Sequence, residues 1–240
     1  MLVAAAVCPA PPLLVPAVAS GAAAELDALR ADCRRALARV AATAPDRLVV
    51  VGPGPAALTH HGPGAAGSFR GFGVPLAVRL PGVERTGETA QPLATPLAVA
   101  AWLLADARWD AAPVTAVGVP DDLPAERCAE LGRQLADDPE RTALLVVGGG
   151  SNCRTLKAPG YLDPRGEPFD DSVARALAAA DHASLAALDR AAAADLGADG
   201  AAPWQILAGA AQRQDAAPLA GSLLHHTAPY GVGYLVAVWH

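Results

Sequence analysis

Lysine is almost missing from this chain: Lys157 is the only one, and arginine carries the remaining positive side-chain charge. With alanine so abundant, that reads as a coding bias and carries no functional information. Acidic residues outnumber basic ones, 24 to 18, for a net charge of -6. That balance excludes a nucleic-acid partner held through phosphate contacts. Aromatic residues make up only 4% against 52% hydrophobic, so any core must be built from Leu, Val and Ala. No apolar run approaches the ~20 residues that a membrane-crossing helix needs, which excludes a membrane partner of that kind. The opening MLVAAAVCPAPPLLVP has no basic n-region and is interrupted by prolines, so it reads as a strand entering a loop and not as a secretory signal. Four cysteines, Cys8, Cys33, Cys128 and Cys153, are too few to staple 240 residues,. These absences predict a cytoplasmic protein.

What remains is a chain of alternating apolar runs and helical patterns. Leu2 to Cys8, Arg47 to Val51, Val74 to Leu80, Pro113 to Val119 and Leu144 to Val147 read as strands,. Helices are predicted from Gly21 to Ala44, with Ser20 as cap and Leu26, Leu29, Cys33, Leu37 and Val40 on the apolar face,. Others follow at Pro92 to Ala107, Pro124 to Asp137, Phe169 to Ala180, Ala183 to Leu196 and Trp204 to Gln212. Ala56 to Gly73 reads as a glycine-rich loop carrying His60 and His61. Ser222 to His226 and Gly233 to Trp239 flank a turn and form an antiparallel pair,. The alternation predicts one α/β domain over residues 1–240, with a central mixed, mostly parallel sheet, helices on both faces and a C-terminal antiparallel hairpin.

One stretch departs from this pattern. After Leu144-Leu145-Val146-Val147 come Gly148-Gly149-Gly150, then Ser151, Asn152, Cys153, Arg154 and Lys157. Ligands in open α/β sheets sit beyond the carboxyl ends of strands, which is where these residues fall. The glycines could cradle phosphate, but no Gly-Lys-Ser/Thr follows and the run is not Gly-x-Gly-x-x-Gly; a tight turn is the other reading. His60-His61 and His225-His226 are adjacent pairs, so on a strand only one of each could face a shared site. His-x-x-x-His, Cys-x-x-Cys and Gly-x-Ser-x-Gly are all lacking,. Cys8 and Cys153 each follow a strand end, either facing one another across a crevice or lying as inert buried thiols.

Read together, AAAVCPAPPLLVP, LVVVGPG, SFRGFGVP, ALLVVGGGSN, PWQILAGAA and APYGVGYLVAVW resemble, in order and spacing, the catalytic chains of class III extradiol ring-cleavage dioxygenases. That group includes the Memo-like proteins. The resemblance covers nearly the whole chain. It implies ferrous iron held by two histidines and a carboxylate, with a further histidine as acid/base on the substrate. The first metal histidine is expected after the opening strand, where this chain has Ala10; the second after the next strand, at Gly54. The acid/base histidine is expected at Asn152, the last residue of Val147-Gly148-Gly149-Gly150-Ser151-Asn152. The carboxylate is expected shortly before PWQILAGAA, where Asp199 stands. Alanine and glycine cannot ligate iron through a side chain, and asparagine has no proton to exchange near neutral pH.

Three functions are compatible with these residues. One is a dioxygenase-type protein without iron or turnover that keeps a crevice for a small molecule or a partner protein, a second copy of itself included. Another is an active Fe(II) enzyme with ligands relocated to His60, His61, Asp199, His225 and Cys8 or Cys153. The third is a structural subunit of a larger assembly. The predicted polar contacts to a ligand are Ser151, Asn152, Arg154 and Lys157, with His60 or His61 from the facing loop. Arg154 and Lys157 suit a carboxylate or phosphate, or are solvated loop charges.

Overall fold

Apolar runs flanked by glycine and proline become the strands of one sheet in the computed structural model, which describes residues 1–82, 91–137, 139–212 and 218–240. In chain order these are β1 (Leu2–Cys8), β2 (Arg47–Pro53), β3 (Thr59–His61), β4 (Ala66–Ser68), β5 (Ala77–Arg79), β6 (Val114–Val119), β7 (Thr142–Val147), β8 (Gly221–Thr227) and β9 (Tyr234–Trp239). Seven of them pair in the order β3-β6-β2-β7-β1-β9-β8, while β4 and β5 pair separately. The inner pairs β1/β7, β2/β7 and β2/β6 are parallel; β3/β6, β1/β9 and β8/β9 are antiparallel. The sheet is therefore mixed and mostly parallel, with the terminal antiparallel pair added beside β1.

Helices cover both faces. They are α1 (Pro16–Ala19), α2 (Asp27–Ala41), α3 (Thr95–Asp106), α4 (Ala125–Ala136), α5 (Gly166–Ala179), α6 (His182–Ala186), α7 (Arg190–Asp195) and α8 (Ala201–Ala211). Alternate strand residues feed two cores. Ala6, Val50, Leu145 and Val236 join α2 and α3 in one, and Val7, Val51, Val146 and Ala237 join α5 and α8 in the other. Trp239 donates its indole N–H to the Leu177 carbonyl, 2.8 Å away, and locks β9 to α5.

Several predicted elements change. The helix predicted from Gly21 starts at Asp27, and residues 20–26 form a 3-10 turn. Ser20 makes no cap: its φ is 51° and its side chain bonds no helix amide. The three- and four-residue apolar spacing begins only at Leu26, so the alanines before it have no core to hold them in register. Buried Arg30 fastens this turn, donating to the Leu14 carbonyl at 3.2 Å, to the Ala23 carbonyl and to Asp27 Oδ1 at 2.6 Å. The helix predicted from Ala183 to Leu196 is two helices, because Asp181 caps α6 and Asp189 caps α7,. The Ala56 to Gly73 loop contains β3 and β4, and only Ala77–Arg79 of the strand predicted from Val74 is paired. Helix α5 begins one turn earlier than predicted, at Gly166.

Candidate functional site

The carboxyl ends of β1, β2, β6 and β7 lie along one edge of the sheet, and the triple-glycine loop leaves β7 there. Each amide of that loop already has an acceptor. Gly148 N–H donates to the Cys8 carbonyl at 3.2 Å, Gly150 to Gly233 at 2.8 Å and Asn152 to Leu196 at 2.9 Å. Gly149 N–H donates to Asp199 Oδ1, and Ser151 N–H to Asp170 Oδ1 at 2.7 Å. An anion nest needs free amides, and five consecutive ones are spent on the fold. The loop is a stitched turn joining β7 to β1, β9 and α8, which leaves no cradle for phosphate.

Ser151 and Asp170, both fully buried, form a two-point clamp, since the Ser151 hydroxyl also donates to Asp170 Oδ2 at 2.8 Å. Burial pushes the Asp170 carboxyl above its usual range, against the pull of the two Ser151 hydrogen bonds and of Arg154. Arg154 Nη1 lies 3.6 Å from Asp170, and Nη2 pairs with Glu167. Asn152 points its amide at Gly160 and Gly197, where any added Cβ would overlap it. These residues thus sit where predicted, at a strand end, yet their polar groups are turned on neighbouring segments of the same chain. Lys157 stands exposed on the loop beyond them.

The other predicted residues are dispersed. Ala10 is buried at the end of β1. Gly54 lies so close to β6 that an added Cβ would sit 2.5 Å from the Gly118 carbonyl carbon and 2.7 Å from its Cα. His61 is buried on β3, its Nε2 3.1 Å from Thr59 Oγ1, and burial lowers its pKa; His60 is exposed on the other side of the strand. His225 is on β8, 2.9 Å from Asp32 of α2. Strands β3 and β8 are the two outer strands of the sheet, so His61 and His225 stand at opposite edges. Cys8 shares a thiol hydrogen bond with Cys33 of α2, which raises the Cys33 thiol together with burial. Cys153 is buried beside Ser151 and Asp163. Of the two readings of Cys8 and Cys153, buried thiols hold, because β1 turns its Cys8 side chain onto α2 and both sulfurs are buried. Among the described residues, no group of three or more His, Cys, Asp and Glu could hold a metal ion. The residues present do not fit the two-histidine, one-carboxylate arrangement.

Asp199 does border a cavity. A cleft of about 270 Å³ opens between the segment after β6, helix α7 and the start of α8, lined by Asp121, Arg190, Asp199, Gly197 and alanines including Ala193 and Ala202. Asp199 is exposed, and its Oδ1 accepts from Gly149 N–H. Partial desolvation among its neighbours, with the nearby Asp121 charge, pushes its pKa up against the Gly149 hydrogen bond. Arg190 Nη2 donates to the Asp121 carbonyl, while its buried Nη1 has no hydrogen-bond partner among the described residues. Asp121 and Arg190 were not predicted. Asp121 follows the β6 carboxyl end closely enough to have been found by the same rule that singles out Ser151. Arg190 lies in an alanine-rich segment with no such signal.

No family model and no curated protein matches this chain. Among solved structures, it is similar to the uncharacterized protein JW3007 from Escherichia coli K12, with a TM-score of 0.52 and 15% identity over 98% of each chain. At that identity the likeness concerns the fold alone, which the two proteins share along their whole length.

Proposed function

We propose that this chain is a class III extradiol dioxygenase-type protein, similar to the catalytic chains of that family, that has no iron-dependent turnover and uses a strand-end crevice to hold a small ligand. The observation that carries the reading is Gly54. The second metal histidine is expected there, and the β6 backbone fills the space that any side chain would need. A histidine could not be accommodated without parting β2 from β6. Buried Ala10 and the packed amide of Asn152 support the same reading at the other two strand ends. The cleft at Asp121, Arg190 and Asp199 offers a place for a ligand, at the strand ends where such folds bind them.

Metal analysis of protein purified without an affinity tag tests it, alongside oxygen uptake with a panel of catechols. No stoichiometric iron and no uptake are expected, before and after incubation with Fe(II). Stoichiometric iron that supports oxygen uptake and is lost in a His61→Ala variant would overturn the proposal in favour of relocated ligands.

A further inference from the structure

The geometry points to a second site, an acyl-transfer triad of Thr227, His225 and Asp32 on the outer strand β8. It goes beyond the ligand proposal and shares no residue with the Asp121 cleft. His225 and Thr227 alternate along β8, so both side chains emerge on the face covered by α2,. His225 Nδ1 lies 2.9 Å from Asp32 Oδ2, and its Nε2 lies 3.0 Å from Thr227 Oγ1. An ionised carboxylate only accepts, so it holds the imidazole proton on Nδ1 and leaves Nε2 to accept from the Thr227 hydroxyl. Arg35 Nη2, 2.9 Å from Asp32 Oδ1, steadies the other carboxylate oxygen. A hydroxyl within reach of a base, itself oriented by a third group, is the arrangement that activates a nucleophile, and geometry identifies it without a sequence motif. The His225 and Asp32 side chains are only 15% and 16% exposed, whereas Thr227 faces solvent. Ala228 N–H has no backbone acceptor among the described residues, and the amide after a nucleophile is a natural oxyanion donor. Exposed Tyr230, tethered through its hydroxyl to Glu25, offers an aromatic face beside it for the acyl group. The substrate class is a small activated acyl ester, because the β-branch of threonine crowds its oxygen. Oγ1 bonds to the ester carbonyl carbon while Nε2 takes the hydroxyl proton. The ester C–O bond then breaks, and the leaving alcohol departs with that proton. Water repeats the sequence on the acyl-threonine, releasing the acid and restoring Thr227.

p-Nitrophenyl acetate is the probe, with nitrophenol release followed optically and the acetylated residue mapped by peptide mass spectrometry. Acetylation of Thr227 is expected, about a hundredfold faster than at the same residue in urea-unfolded protein. His225→Ala should slow it by about a hundredfold, and Thr227→Val should abolish the nitrophenol burst. Thr227→Ser, with a less crowded oxygen, should acylate at least as fast as wild type. Acetylation of Lys157 and the melting temperature should stay unchanged throughout, which separates lost chemistry from lost folding. Asp32 acts through His225 as a positioning residue. Asp32→Asn should slow acylation by about tenfold or more, and NMR of the imidazole nitrogens should pass from the Nδ1–H tautomer in wild type to Nε2–H in the variant. Four results would overturn the inference: Thr227 acetylation no faster than in unfolded protein, a burst that persists in Thr227→Val, unchanged Thr227 acetylation in folded His225→Ala, or an Nε2–H tautomer in wild type.

Discussion

Replacing Gly54 with alanine should be among the most damaging single-methyl additions the sheet can receive. The new Cβ would meet three β6 backbone atoms: the Gly118 carbonyl carbon at 2.5 Å, Gly118 Cα at 2.7 Å and Val119 N at 2.8 Å. Carbon atoms rest comfortably at about 3.5–4.0 Å, so the strands must separate by about 1 Å. The hydrogen bond that closes this end of the pair, Gly54 N–H to the Val119 carbonyl at 2.8 Å, stands in the way. Side-chain overpacking costs about 1–3 kcal/mol, and here the obstacle is backbone, which cannot change rotamer, so about 3 kcal/mol is expected. For a chain of this size that lowers the melting temperature by roughly 6–12 °C. Gly62→Ala is the matched control, since nothing lies within 4 Å of a Cβ there, and it should stay within about 0.5 kcal/mol of wild type. Thermal and urea unfolding of both variants measure the difference. If Gly54→Ala melts with Gly62→Ala, strand β2 is not pressed against β6, and the steric argument against a histidine ligand at this position fails.

Three further outcomes follow from the polar contacts. Asp170→Ala removes both anchors of Ser151 and the charge facing Arg154, and should cost about 3 kcal/mol by urea unfolding. Asp170→Asn tests the sign of the titration: burial raises the folded carboxyl's pKa above its unfolded value. The stability tied to its protonated form is therefore lost as pH rises through the folded pKa and restored on acidification. Wild type should gain on the asparagine variant between neutral pH and the carboxylate range, and a difference that stays flat would refute the assignment. Asp189→Ala removes the α7 cap, which accepts from Ala191 and Ala192 at 2.9 and 3.1 Å. About 1 kcal/mol is expected, seen as faster amide exchange confined to α7 and the cleft wall; unchanged exchange there would show that α7 does not depend on its cap.

The fold was legible where the sequence carries long signals, and the site was not, for a physical reason. Val-rich and Leu-rich runs bounded by Gly and Pro read as buried strands, and the four that form β1, β2, β6 and β7 between helical patterns leave few architectures,. Short strands such as β3 fail this test because their partner is remote: His60 and His61 lie in a strand only because β6 offers them an edge. Segment 183–196 failed because its alanines fit any helix, and only Asp189, an unremarked cap, decides that there are two. The site is harder still. Sequence can place a polar residue at a strand end, but not say whether it faces a ligand or its own chain. Ser151 and Arg154 are at the right edge, and Asp170 and Glu167, many residues later, consume them. Asp121 obeys the same strand-end rule and borders the cleft, so the rule selects the edge without ranking residues along it. What ranks them is whether a buried charge has a partner. Ser151 meets that need for Asp170, whereas Asp199 and Asp121 stand exposed at the cleft and the buried Arg190 Nη1 behind it meets no acceptor among the described residues. Unmet polar capacity beside a cavity is a tertiary property, which is why Arg190, with no motif around it, becomes visible only once the chain is folded.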